Sequence, residues 1–457
     1  MTAYPATEAV VRYALSAEAV PSAADRARLT SLVLDFLGVA VAGTADDAAR
    51  VRALTDAVAR PDGPATIVGT GAKAAAADAA SVNAFSAHLM EFDDSTLNPV
   101  GHPSVTVLPA VLAVAEQVQA SGRDLLTAYA VGLEVHARLG QAMPSPWSSS
   151  DPFLPIGTIG TIGAAVAAGR LLGLDAARMA HAIGLAAQSA GQLGIGNGSH
   201  AKPLAPANAA ASAVRAAQLA AAGFTGPAAA IERPGGFADV FLRADSGRLA
   251  EALTRLGGQT HLSQVGVAVK RYPSCYGCHF SVDGLRQVMA AHAVVGPRVR
   301  GLRLTYPADA AFLDDPTPDT VERARFSMQF GLAVTLLDGF PQPRHFTAEF
   351  VAGSRARAAL ARVSAAVRVD DVPPPARWRH EVAVETVDGD TFVGSVARPH
   401  GHPKDPLDPR EIVEKFAANV AYAGLDGAQR LADAVGALDR LDDVRALLRP
   451  LAVTRVP

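Results

Sequence analysis

Cysteine is nearly absent: Cys275 and Cys278 are the only two in 457 residues. They lie in "KRYPSCYGCHF", residues 270–280, where Cys275-Tyr276-Gly277-Cys278-His279 spells a C-x-x-C-H string. Two thiols cannot furnish a Cys₃ or Cys₄ iron–sulfur site within one chain. A zinc site needs two further ligands, and no H-x₃₋₅-H pair follows nearby. Covalent haem belongs to exported proteins, and "MTAYPATEAVVRYALSAEAV" has no basic stretch ahead of an unbroken apolar one, so no signal peptide is expected. A dithiol redox pair stays open, behind the plainer reading of two small residues in a turn.

Other shortages narrow the class. Aromatics are 5% of the chain, so Ala, Val and Leu must build most of the interior. Such an Ala-rich composition favours closely packed helices. Charged residues are 19%, the formal charge is −3, and no basic block occurs. Nucleic acid and an anionic membrane are therefore not the expected partners. No uncharged apolar run reaches the ~18–20 residues of a membrane helix. The nearest, "SLVLDFLGVAVAG", is short and broken by Asp35. A soluble, cytoplasmic protein is expected. At 457 residues and 49% hydrophobic, the chain is too long for one compact core, so two domains are expected.

Residues 1–265 read as successive helices. "ADRARLTSLVLDFLGVAVAG" puts Leu29, Leu32, Val33, Phe36 and Leu37 on one face, with Gly43 as a stop. "DAASVNAFSAHLMEF" aligns Val82, Phe85, Leu89 and Phe92. "LPAVLAVAEQVQASG" offers Pro109 for a first turn and Gly122 for an end. "ANAAASAVRAAQLAAAGFTG" ends at Gly223. From about residue 264, "SQVGVAVKRYP", "RVRGLRLTYPA", "SAAVRVDDV" and "HEVAVETVDGDTFVGSVARP" are β-branched and partly alternating, the last with an Asp388-Gly389 hairpin signal. "SVDGLRQVMAAHAVV" and "FSMQFGLAVTLLDG" between them look helical. The expected architecture is mainly α: a large all-helical domain, 1–265 completed by 406–457, with an inserted smaller α+β domain, 266–405.

Ionisable groups interrupt this apolar pattern at a few loops. In "HLMEFDDSTLNPVGHPS", Glu91, Asp93, Asp94 and His102 fall together at a helix end. Carboxylates so close repel unless a cation or His shares the site, which perturbs their pKa values. The plain alternative is a solvated helix end. In "GIGNGSHAKPLAPANAAA", Lys202 sits in a Gly-rich loop before a helix, placed to bind a carboxylate or phosphate. It lacks Walker A spacing, and an exposed loop lysine is the competing reading. The glycines of "PIGTIGTIGAAVAAGRLLG" do not spell G-x-G-x-x-G, and close helix packing is their expected use. Lys270, Arg271, Tyr272, Cys275 and His279 form a further cluster, while His400 and His402 lie in a proline-rich return loop.

Together these segments resemble the MmgE/PrpD family, which includes 2-methylcitrate dehydratase, cis-aconitate decarboxylase and iminodisuccinate epimerase. The resemblance rests on "LDFLGVAVAG", "VNAFSAHLMEFDDSTLNPVGHPSVTVLPAVLAVAE", "KRYPSCYGCHFSVDGL" and "FSMQFGLAVTLLDG", backed by "GTIGTIGAAVAAGRLLGLD" and "HPKDPLDPREIVEKF". It implies a homodimer without metal or cofactor, with a helical body, an α+β lid and a cleft between them that takes a small carboxylate substrate. On this resemblance the C-x-x-C-H string is accidental, and its Lys-x-Tyr-Pro segment and His279 serve the pocket. Lys202 and Lys270 match the family's lysines and would clamp substrate carboxylates where negative charge develops. His102 matches the histidine of a His-Pro-Ser motif and would shuttle a proton, with Asp93 and Glu91 beside it. Ser95, Tyr272, Cys275, His279, Phe330 and Leu154 would line the substrate.

Several of these positions depart from the family pattern. Glu91 stands for the first Asp of Asp-Phe-Asp-Asp, Leu154 for a histidine, Phe330 for a tyrosine and Cys275 for a histidine. The losses point to a substrate less charged than methylcitrate, or to another reaction on the same scaffold. Dehydration of a β-hydroxy carboxylate by α-proton abstraction is the expected activity. Epimerisation comes next, then decarboxylation, then a non-catalytic scaffold.

Overall fold

The computed structural model describes residues 4–97, 100–144, 151–367 and 379–448. The fold is mainly helical, with a small sheet in the second half of the chain. Helices Ala23–Asp46, Ala76–Leu89, Pro103–Val118, Gly122–Gln141, Ile159–Leu171 and Ala201–Ala221 pack on one another around an Ala-, Val- and Leu-rich core. Leu29, Leu32, Val33, Phe36 and Leu37 are all buried there, as their spacing predicts. Helix Ala23–Asp46 is long and apolar enough to cross a membrane, with mean hydropathy 1.4, but 78% of that window is buried in the core.

Three expected helix ends move. Gly43 is no stop, because the helix runs on to Asp46. A Cβ on Gly43 would lie 1.9 Å from the Ser86 carbonyl oxygen, so the glycine instead lets Ala76–Leu89 approach its neighbour. Pro109 lies inside Pro103–Val118, where Pro103 takes the first-turn position. Gly122 opens a helix rather than closing one: Gln119 ends the preceding helix with a left-handed φ of 57°, and the Ser121 side chain accepts from the Asp124 amide. The end near Gly223 stands as expected, after helix Ala201–Ala221 and with a φ of 92°.

In the second half, strand Val299–Tyr306 pairs in parallel with Val363–Val367 and antiparallel with His380–Thr386, which forms a hairpin with Thr391–Val396. Asp388-Gly389 lies between the hairpin strands, Gly389 at a φ of 92°. Helices Tyr276–Ala291 and Met328–Asp338 share a core with this sheet, bringing Cys278, Leu285 and Leu332 against Leu304 and Val382. The end of "SAAVRVDDV", residues 368–372, lies outside the described residues. The strand expected over 263–273 does not form. Among the described residues it makes a single β-bridge, Ala268 with Ser95, and Val269 N donates to the Gly401 carbonyl, so this stretch ties distant loops together. Helix Pro409–Tyr422 returns to pack on Ala23–Asp46, where Lys415 Nζ lies 2.6 Å from Asp35 Oδ1.

Candidate active site

Helix Ala76–Leu89 ends at Met90, and Glu91 then turns the chain with a left-handed φ of 51°. A side-chain-bearing residue held there costs on the order of 1–3 kcal/mol, so the surroundings must enforce it. They do: the Glu91 amide donates to the His88 carbonyl, and its own carbonyl accepts from Lys270 Nζ at 3.0 Å. The side chain is buried between two ammoniums. Oε1 accepts from Lys202 Nζ, and Oε2 from Lys270 Nζ at 3.1 Å.

Each lysine arrives from a different element. Lys202 belongs to the first turn of Ala201–Ala221, and its ammonium also stands 4.9 Å from the centre of the Phe326 ring. Lys270 lies on the extended segment fixed by the Ser95–Ala268 backbone pair, with N–O distances of 2.8 and 2.7 Å, and by Val269 N donating to the Gly401 carbonyl. Burial opposes ionisation of Glu91, but Lys202 and Lys270, then His88 and His102, outweigh it and hold the carboxyl well below its usual range. Burial likewise opposes the charge on Lys270, and Glu91 and Asp93 overcome it, so that ammonium stays protonated.

The neighbouring carboxyls divide. Asp93 Oδ2 lies 3.1 Å from His102 Nδ1, and both its oxygens lie 3.0 Å from His88 Nδ1. Against the cost of burial, the two imidazoles and Lys270 keep Asp93 ionised. Asp94 accepts instead from the Ser104 amide and meets the Ser104 hydroxyl, which touches Tyr129. Burial, with Asp93 and Asp35 adding repulsion against the Ser104 hydrogen bond, pushes Asp94 up to about 8. Asp94 is thus a neutral brace at the start of Pro103–Val118, and Asp93 is the ionised member.

His102 Nδ1 also lies 2.9 Å from the Asp94 carbonyl, which can only accept, so the hydrogen is on Nδ1. That leaves Nε2 as the ring atom able to trade a proton with a substrate. Burial, with Lys270 and Lys202, lowers the His102 pKa to about 4 despite Asp93. The imidazole is neutral near pH 7.

The remaining expected site residues fare unevenly. Ser95 Oγ donates to the Gly101 carbonyl at 3.2 Å and so shapes the turn before His102. Cys275 caps helix Tyr276–Ala291. Its thiol feels Glu91, Lys202 and Lys270, and burial pushes its pKa up, so it stands as a protonated thiol beside the cluster. Leu154 packs with Ile156 and Ala205, one turn beyond Lys202. Tyr272 and His279 do not reach the charged cluster: Tyr272 OH donates to Asp283, and His279 Nε2 donates to the Tyr272 carbonyl at 3.1 Å. Together they brace the turn after Lys270. Phe330 is wholly buried against Phe346 and Phe350 in a separate apolar core. The C-x-x-C-H string divides likewise, with Cys278 in the sheet core and both thiols free.

Sequence reasoning missed His88, Arg325 and the Lys415–Asp35 pair. His88 has a local signal, a histidine three residues before Glu91 on a helix and five before Asp93. Arg325 has none; it donates to the Leu89 carbonyl at 2.7 Å from a distant part of the chain. Lys415 donates to the Phe92 carbonyl at 2.9 Å. His88, Glu91 and His102 offer ligand atoms within 4.8 Å of one another, a spacing that suits a cation. Both Glu91 oxygens are already engaged by ammoniums, and the two lysine charges balance those of Glu91 and Asp93.

This constellation is joined by similarity along the chain. Residues 9–249 match the MmgE/PrpD N-terminal domain, and residues 272–440 match the MmgE/PrpD C-terminal domain. The chain belongs to the MmgE/PrpD family. Among its relatives is the cis-aconitate decarboxylase of Homo sapiens, 29% identical over 431 residues, which span 92% of this chain and 89% of the relative. The Mus musculus enzyme of that name is 30% identical over 390 residues, 82% of this chain and 78% of its own. One from Aspergillus terreus is 25% identical over 417 residues, 86% and 84% of the two chains. As a MmgE/PrpD protein, this chain is an enzyme of the lyase type.

Proposed function

We propose that this MmgE/PrpD enzyme works without a cofactor, breaking a bond beside a carboxylate of a small polycarboxylic acid, with cis-aconitate decarboxylation as the leading reaction. One observation carries the reading: Lys202 and Lys270 converge on the single carboxylate of Glu91, next to the Asp93–His102 pair. Ammoniums that hold a protein carboxylate can hold a substrate's. Loss of CO₂ breaks a C–C bond and leaves an electron pair that spreads onto a neighbouring carboxylate. Fixed cations there stabilise the growing charge. A proton delivered to carbon, by His102 Nε2 after uptake from solvent, completes the exchange of CO₂ for H. The names of the relatives support decarboxylation over the dehydration expected from sequence.

Dehydration of a β-hydroxy carboxylate is the second reading. It is favoured by His102 being neutral with Nε2 bare, which suits abstraction of an α-proton. In either reading, residues 266–405 would act as a lid, bringing Lys270 and Cys275 to the helical body. The test is incubation with cis-aconitate, and separately with citrate-type hydroxy acids, in deuterium oxide. The expected result is trapped CO₂ and an unsaturated dicarboxylate carrying deuterium at carbon. A new alkene without CO₂ selects dehydration, and deuterium in recovered substrate alone selects epimerisation. No turnover across the panel defeats the proposal.

A further inference from the structure

His88 is wholly buried on the last turn of Ala76–Leu89, yet it is surrounded by charge. Its Nδ1 lies 3.0 Å from both Asp93 oxygens, and a carboxylate only accepts, so Nδ1 carries hydrogen. Its Nε2 has no hydrogen-bond partner and faces Glu91 Oε1 at 3.5 Å. Its ring meets that of His102 edge-on, with centroids 4.7 Å apart. A core histidine that merely filled space would not set one nitrogen against both oxygens of a functional carboxylate. We propose that His88 is a positioning residue of the reaction: its Nδ1–H holds the Asp93 carboxylate aimed at His102.

The inference rests on the proposed role of His102 as proton carrier. Asp93 lies between two imidazoles: His88 gives it an Nδ1–H, and His102 Nδ1, bonded to the Asp94 carbonyl, stands 3.1 Å from it. The charge it can spend on His102 is what His88 leaves over, so His88 sets how basic His102 Nε2 is. The charged groups around this relay are few. Glu91, Asp93 and Asp94 come from the loop itself, Lys202 from Ala201–Ala221, and Lys270 from the segment before Tyr276–Ala291. Behind them stand Asp35 and Lys415, on the helices that flank Asp93. Among the described residues, His88 and His102 are the imidazoles that face Asp93. Deleting the His88 donor concentrates the carboxylate on His102 and raises the pH at which His102 takes up a proton.

Two substitutions separate this from a packing role. His88→Asn keeps an amide N–H near the place of Nδ1, whereas His88→Leu keeps volume and loses the donor. In the full-length protein, His88→Leu is expected to lower kcat by about tenfold or more with little change in KM. The limb of its pH profile that His102 sets moves up by about one unit. His88→Asn is expected to recover most of both. Because no turnover at all in wild type would indict the reaction rather than His88, His102 is also titrated by NMR in the ligand-free protein. The same upward shift in His88→Leu, absent in His88→Asn, supports the proposal. It is overturned if His102 titrates alike in all three proteins, or if His88→Asn matches His88→Leu in both its His102 titration and a lowered melting temperature.

Discussion

Arg325 grips Asp46 with Nη2 2.8 and 2.7 Å from the two carboxylate oxygens, in a pair that is almost wholly buried. Its other arm holds the Leu89 carbonyl, two residues before Glu91. The pair therefore fastens the sheet-bearing half of the chain to the end of the helix that carries the site. Removing only Asp46 strands a buried guanidinium, which costs about 3–5 kcal/mol. Asp46→Ala is expected to lower denaturant stability by that order, and Asp46→Ala/Arg325→Met to be more stable than Asp46→Ala. A double variant worse than either single change would contradict this account.

The two lysines are expected to differ. Lys270 is fully buried, contacts Glu91 twice and lies 3.8 Å from Asp93. Lys270→Ala leaves two buried carboxylates without their shared cation, so melting temperature and kcat/KM should fall together. Lys202 contacts Glu91 through Oε1 alone, and Lys270 still holds Oε2 when it is gone. Lys202→Ala should lose about 2–4 kcal/mol of transition-state stabilisation with the smaller melting change. Equal melting losses in both variants would show that the lysines are structurally interchangeable.

His102→Gln is expected to fold normally and lose about a hundredfold in turnover. The wild-type base form of His102 persists down to about pH 4, so a dehydration begun by α-proton abstraction should lose kcat/KM as pH drops through that value, whereas a decarboxylation that needs a protonated Nε2 should gain. An unfolded histidine takes up a proton near pH ~6.5, whereas the folded one resists until about 4, so His102 erodes stability as pH falls across that interval. A His102→Gln protein that keeps the wild-type limb would assign the limb elsewhere.

Asp94 gives the opposite slope. Its folded pKa is raised to about 8, far above an unfolded aspartate near ~3.9. Between these values the folded state keeps a proton that the unfolded state has lost, so the contribution of Asp94 to stability falls as pH rises from about 4 to about 8. Asp94→Asn fixes the neutral form and can still accept the Ser104 amide. Melting curves at pH 6 and pH 9 should show a smaller decline for Asp94→Asn than for wild type. Parallel declines would mean that Asp94 is ionised throughout.

Much of this was legible in the residues because it is local. The helical period of Leu29 to Leu37 and the turn at Asp388-Gly389 depend on neighbours in sequence, and both stand in the structure. The clustering of Glu91, Asp93 and His102 was visible for the same reason. Tertiary packing decided the rest. Gly43 reads as a terminator until Ser86 is seen against it, and Phe330 reads as pocket until Phe346 and Phe350 surround it. His88 looked like one more helical residue, since its partners become evident only once the loop folds back.

The Ser95–Ala268 pair also bears on how the chain is made. Lys270 follows Glu91 by 179 residues, and Lys202 follows it by 111. During synthesis the acidic loop exists long before either counter-ion leaves the ribosome. Dehydrating Glu91 and Asp93 alone is prohibitive, so the loop must stay wet until the segment around Ala268 docks on Ser95. Chains truncated before that segment would carry an open acidic wound in the helical body, a natural handle for quality-control proteases.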